Sequence, residues 1–125
     1  MRLLLDTHAL IWTLGDPDRL VPSTRELLED PAHEVFVSAA SLWEIAIMVG
    51  NGKLEVPDNL ERAIFAVGFQ ALEIRFPHVR AVRHLPPHHR DPFDRLLVAQ
   101  ALHEELKLVS RDARMPLYGV EVVAA

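Results

Sequence analysis

Asp6 closes a short apolar run, Arg2-Leu3-Leu4-Leu5, and Asp112 follows a second run, Lys107–Ser110, by two residues. Glu44 and Asp94 fall in the first turns of two segments with helical periodicity. An acid that ends an apolar strand is poorly placed for burial without a partner. Carboxylates held within several ångströms of each other oppose one another's ionisation. A hard divalent cation resolves that conflict. Mg2+ and Mn2+ favour carboxylate and water oxygens, and a bound ion can deprotonate water or stabilise a leaving phosphate oxygen. The candidate catalytic and metal-holding set is therefore Asp6, Glu44, Asp94 and Asp112.

Asp91, Asp94 and Glu44 also have a plainer reading, which Asp6 does not share. Asp91 and Asp94 suit a helix N-terminus, with Pro92 between them at the first helical position. Glu44 stands three residues after Ser41, the reach of a capping box. Taken singly, capping accounts for them; taken together at one edge of a sheet, they favour a site.

That shared edge depends on the elements. Residues 2–5 read as a strand, and Thr7–Leu14 as a helix broken by Gly15-Asp16-Pro17. Ser23-Thr-Arg-Glu26 reads as a capping box opening a helix to about Asp30, and Glu34–Ser38 as a strand. Leu42, Ile45, Ala46 and Val49 predict a helix to about Gly50. Pro57–Gly68 reads as a further helix, Ala71–Ile74 as a strand and Pro77–Leu85 as a brief helix. Asp91-Pro92 opens the helix Phe93–Glu105; Lys107–Ser110 is a strand, Asp112–Leu117 a turn or short helix, and Val120–Val123 the last strand. Strands apolar on both faces that alternate with helices predict a mainly parallel sheet covered on each side, a three-layer α/β/α sandwich. Ligands of such sheets bind beyond the carboxyl ends of the strands.

The 125 residues suit one domain, 1–125, with a core of its own. With no cysteine, disulfides, thiolate catalysis and cysteine-ligated zinc are excluded. No apolar run approaches the roughly 20 residues of a membrane span, and Met1–Asp6 does not read as a signal peptide, so a cytoplasmic location is expected. The net charge of −5 first argues against nucleic acid, yet eleven of the thirteen basic residues are arginine, the better fork for phosphate. The four acids account for all but one of those net negative charges.

Four stretches carry a resemblance. Leu3-Leu-Leu-Asp-Thr-His-Ala-Leu-Ile-Trp12, Val37-Ser-Ala-Ala-Ser-Leu-Trp-Glu-Ile-Ala46, His89-Arg-Asp-Pro-Phe-Asp-Arg-Leu-Leu-Val-Ala-Gln-Ala101 and Leu108-Val-Ser-Arg-Asp112 resemble, in order, the acidic motifs of PIN domains. More narrowly, they resemble VapC-type ribonuclease toxins of toxin–antitoxin pairs. The resemblance implies a five-stranded parallel sheet, Mg2+ or Mn2+ held by Asp6, Glu44, Asp94 and Asp112, and endonucleolytic cleavage of RNA. It further implies a cognate antitoxin and a homodimer as partners. Asp91 is either an accessory acid or the helix cap, and the number of ions stays open. Thr7 orients Asp6, binds phosphate or caps the first helix.

Arg90, Arg95, Arg111 and Arg114 flank the acids and are candidates for RNA phosphate contacts, or for neutralising adjacent carboxylates. His84, His88 and His89 suggest zinc, but no thiolate supports it and prolines interrupt the segment. Trp12 and Trp43 could stack bases; apolar neighbours at helical spacing favour core or interface packing. Two rivals to a nuclease remain. An aspartyl-phosphate phosphatase wants a second aspartate two positions after the first, where this chain has His8. A non-catalytic interaction domain would use the acids as caps or as a docking surface.

Overall fold

Leu3, Leu4 and Leu5 are all fully buried, which a strand achieves only when both of its faces are covered. A computed structural model describes residues 1–125. Its strands are β1 (Arg2–Leu5), β2 (Glu34–Ser38), β3 (Gln70–Leu72), β4 (Lys107–Ser110) and β5 (Val122–Ala124). Its helices are α1 (Thr7–Gly15), α2 (Pro22–Glu29), α3 (Ala39–Gly50), α4 (Leu60–Ala66), α5 (Phe76–Val82) and α6 (Pro92–Glu104). The sheet has the order β3-β2-β1-β4-β5, and every pairing is parallel rather than mainly so.

Alternation along the strands divides the core in two. Leu3, Leu5, Val35, Val37 and Val109 face Ala9 and Leu10 of α1, Leu28 of α2, Ile45 of α3 and Ile64 of α4. Leu4 and Leu108 face the other way, onto Leu97, Val98 and Ala101 of α6 together with Met115 and Tyr118. Complete burial of each such leucine contributes about 1.5–3 kcal/mol. The middle strand is thus the best-anchored segment of the chain, and the residue that leaves it is Asp6.

The order also locates a crevice. From β1 the chain steps outward to β2 and β3, then returns to β4 and β5 on the opposite side. Connections leaving β1 and β4 diverge to opposite halves of the sheet, so a cleft opens beyond their carboxyl ends. Leu5 pairs with Val109, which brings Asp6 level with Ser110 and close to Asp112.

Several boundaries differ from the sequence reading. The second helix starts at Pro22 after Val21, with no side-chain cap, so Ser23 and Glu26 lie inside its first turns and form no capping box. The fixed φ of proline suits the first helical position and starts the helix early. Asn59, whose Oδ1 accepts from the Arg62 N–H (3.0 Å), delays α4 past Pro57. A 3-10 turn at Met115–Tyr118, closed by Gly119 at φ 81°, delays the last strand to Val122. No helix is long and apolar enough to cross a membrane.

Candidate metal centre

Asp6 stays in the sheet for one residue beyond β1, its N–H donating to the Val109 carbonyl (3.0 Å). Its side chain then turns to cap α1, Oδ1 accepting from the Ala9 N–H (2.8 Å). The residue is only 7% exposed. Burial pushes its carboxyl above the usual range, against the opposing pull of the Ser110 hydroxyl and the Ala9 N–H. Thr7, also buried, donates its hydroxyl to Glu44 Oε1 (2.5 Å), tying the start of α1 to α3.

Ser38, not Ser41, caps α3, its Oγ accepting from the Ala40 N–H (3.0 Å). Glu44 is therefore a mid-helix acid turned toward Thr7, and the capping-box reading of Ser41 and Glu44 is corrected. Ser38 terminates β2 and so takes the cap that the later serine cannot reach.

Asp91 caps α6, its Oδ1 accepting from the Phe93 N–H (2.8 Å) and the Asp94 N–H (3.2 Å). One turn in, Asp94 bears the cluster's repulsion. Burial and then the charges of Asp91, Asp6, Glu44 and Asp112 push its carboxyl up to about 7. Asp112 goes the opposite way. Hydrogen bonds from Arg114, through Nε to Oδ1 (3.1 Å) and Nη2 to Oδ2 (3.0 Å), hold its carboxyl well below the usual carboxylate range. Neighbouring acids in one cluster thus have opposite electrostatic surroundings.

Asp6, Asp91, Asp94 and Asp112 line one open cavity of about 410 Å3 with His8, Trp12, His89, Arg111 and Arg114. Glu44 is not among the lining residues and reaches the site through Thr7 and through its charge on Asp94. An excess of carboxylate oxygens, one of them pushed up to about 7 by burial and then by its neighbours' charges, is the donor set that a hard divalent cation fits. Converging acids separated by up to 106 positions in sequence come together at the cleft between β1 and β4.

Of the flanking arginines, Arg111 lies over the Trp12 ring at 4.3 Å and bonds the carbonyls of Ala125 and Arg19. Arg114 pairs with Asp112, and Arg90 is exposed. Arg95 must be reassigned. Its guanidinium donates to the carbonyls of Pro86 (2.9 Å), Val82 (3.2 Å), Leu85 (3.3 Å) and His89 (3.5 Å), and to the Tyr118 hydroxyl (3.4 Å). Carbonyls freed by the end of α5 capture it, so it braces a loop and does not line the cavity. Trp12 is half-buried against the core, whereas Trp43 is 59% exposed and lies edge-on to Phe93.

His89 is the site residue that sequence reasoning set aside. Grouped with His84 and His88 as a weak zinc signal, it is the one of the three that is buried. Its Nε2 lies 2.8 Å from Asp112 Oδ2 and 3.0 Å from Asp94 Oδ2. The usable signal was its place two residues before the Asp91 cap, which turns the loop inward.

A family model described as PIN domain matches residues 3–121. Ribonuclease VapC22 of Mycobacterium tuberculosis is 28% identical over 122 residues, spanning 90% of this chain and 88% of that protein. Among solved structures, VapBC2 from Rickettsia felis bound to a DNA fragment from their promoter superposes with a TM-score of 0.73 at 15% identity, covering 98% of both chains. FitAcB from Neisseria gonorrhoeae superposes with a TM-score of 0.66 at 20% identity, covering 98% of this chain and 96% of that one.

Proposed function

The chain belongs to the PIN domain family, and from that premise we propose that it is a divalent-metal-dependent endoribonuclease, the toxin of a toxin–antitoxin pair. The observation that carries this reading is the convergence of Asp6, Asp94 and Asp112 on one cavity, with Asp94 pushed up to about 7 by burial and then by its neighbours' charges. Capping alone does not require such a cluster. Similarity to a ribonuclease, and a fold shared with a toxin–antitoxin complex from Klebsiella pneumoniae, support the substrate and the partner.

Asp6, Asp94 and Asp112 would hold Mg2+ or Mn2+, and Glu44 would act through Thr7 or through water. Bound there, the ion supplies a lowered pKa to water and a sink for charge developing on the leaving oxygen. Arg114 keeps Asp112 ionised, so that acid is ready as a ligand at any working pH. Asp94, raised to about 7, would hold the ion as its carboxylate. Asp91 serves as the helix cap. Arg111 and Arg114 at the cavity, with exposed Arg90 beside it, are placed to meet backbone phosphates. In-line attack by water on phosphorus would break the bond to the 3′-oxygen, leaving a 3′-hydroxyl and a 5′-phosphate.

An antitoxin bearing a basic or aromatic segment would cover the acidic cavity, and a homodimer is proposed from the same kinship. A chain without cysteine and with an RNA substrate fits the reducing cytoplasm. The phosphatase alternative loses ground because exposed His8 stands where a second aspartate is needed. Product chemistry tests the mechanism. End analysis of cleaved RNA is expected to find 5′-phosphates, whereas 2′,3′-cyclic phosphates would assign the attack to the RNA's own 2′-hydroxyl and overturn it.

A further inference from the structure

His89, Asp94 and Asp112 present three potential ligand atoms within 4.8 Å of one another. The hydrogen bonds of the ring divide this trio. His89 Nδ1 accepts from the Asp91 N–H (3.0 Å), so that nitrogen uses its lone pair and carries no proton. The neutral ring's proton is therefore on Nε2, which faces Asp112 Oδ2 at 2.8 Å and Asp94 Oδ2 at 3.0 Å. Ligation through Nε2 would need that proton to move to Nδ1, where it would meet the Asp91 N–H head-on.

We propose that His89 is the positioning residue of the centre: its Nε2–H donates to Asp112 Oδ2 while Asp94 Oδ2 lies 3.0 Å from the same nitrogen, so the ring sits between the two repelling carboxylates and holds them together for a divalent cation. The proposal rests on the metal-site reading above. A donor placed between the two oxygens offsets their repulsion; Asp94 Oδ2 keeps a second lone pair for a ligand, whereas Asp112 Oδ2 also accepts from Arg114 and would share that side with the ion. The ring is itself fixed from two sides. Asp91 supplies the N–H that sets its tautomer, while Arg95 binds the carbonyl of His89 and those of Val82, Leu85 and Pro86 before it. Asp91, Asp94 and Arg95 all belong to the start of α6. One helical turn thus carries a ligand, the group that orients the histidine and the brace that holds its loop.

Calorimetric Mn2+ titration of the full chain, at a pH above the Asp94 range, tests this with wild type, Asp94→Asn, His89→Leu and His89→Gln. Wild type binds and Asp94→Asn does not, which tests the metal reading separately. Failure of wild type to bind, or undiminished binding by Asp94→Asn, overturns that reading and the proposal with it. His89→Leu is expected to bind about ten- to a hundredfold more weakly, the usual effect of losing a partner of a ligand. His89→Gln, whose amide N–H reaches to the place of Nε2, recovers most of the loss. Electron paramagnetic resonance of Mn2+-loaded wild type shows no directly coordinated ring nitrogen. Wild-type affinity in His89→Leu, no recovery in a folded His89→Gln, or a coordinated-nitrogen signature each overturns the proposal. If His89→Leu does not fold, His89→Gln and the nitrogen signature decide.

Discussion

Asp94 bears the electrostatic strain of the cluster, and its proton reports it. Its carboxyl is raised from an ordinary 3.8 to about 7, chiefly by burial and then by the surrounding acids. Between those values the unfolded chain has lost the proton and the folded one keeps it. Its contribution to stability is therefore complete below about 3.8 and is lost as pH rises through about 7. Metal-free wild type is expected to melt progressively lower across that window, while Asp94→Asn follows a flatter curve and melts higher at neutral pH. Parallel curves by scanning calorimetry would contradict the repulsion. Asp112 has the opposite sign: its depressed pKa stabilises the fold at neutral pH and is lost only in acid. Asp91→Ala should cost about 1 kcal/mol in urea denaturation, the value of a cap, and leave Mn2+ binding in place. Abolished binding would make Asp91 a ligand. That Asp6, Asp94 and Asp112 gather at one cavity was legible because each is anchored to a local pattern, a strand end or a helix start; Glu44 sits mid-helix, outside the lining, and meets the cluster only through Thr7 and its charge. His89 was not, because its role depends on which way a ring faces, and that is set by the Asp91 N–H and by acids on two other segments.

At the scale of elements, local chemistry set some boundaries and tertiary contacts set others. β2 and β4 run over the residues their apolar patterns indicate, because both are held from each side by the sheet. α5 ends at Val82, short of Leu85, and the carbonyls it leaves are taken up by Arg95 from α6. That capture joins groups up to thirteen positions apart, beyond any local pattern. Arg95→Met retains much of the side chain's apolar stem and removes every one of these donors. It is expected to cost about 1 kcal/mol, as for hydrogen bonds lost at part-buried and exposed acceptors that water can reach. Amide hydrogen exchange should quicken across residues 82–90, and unchanged exchange there would show that Arg95 does not brace the loop. α5 has a second tie to α6: buried His78 meets Glu104 Oε1 at 2.8 Å, which holds the Glu104 carboxyl below its usual range.

For the whole molecule, alternation of strands and helices implied a parallel sheet but not its order. In the order β3-β2-β1-β4-β5 the more buried strands β2, β1 and β4 take the middle and the short β3 and β5 the edges, and β1 beside β4 brings Asp6 close to Asp112 at the switch point. The same geometry changes the meaning of the −5 net charge. Acidity gathers in one cavity, with Arg111 and Arg114 among its lining residues. RNA binding is expected to weaken steeply with salt, and Arg111→Gln should reduce the salt slope by about one phosphate contact. A slope unchanged in that variant would remove Arg111 from the RNA path. We propose that the gathered carboxylates form a metal-dependent ribonuclease centre. Its most direct test is cleavage of single-stranded RNA by wild type and Asp94→Asn, each with Mg2+, with Mn2+ and with EDTA. Cleavage by wild type in the presence of metal, abolished by EDTA and by Asp94→Asn, is the predicted result; cleavage that survives EDTA, or that Asp94→Asn retains in full, would contradict it.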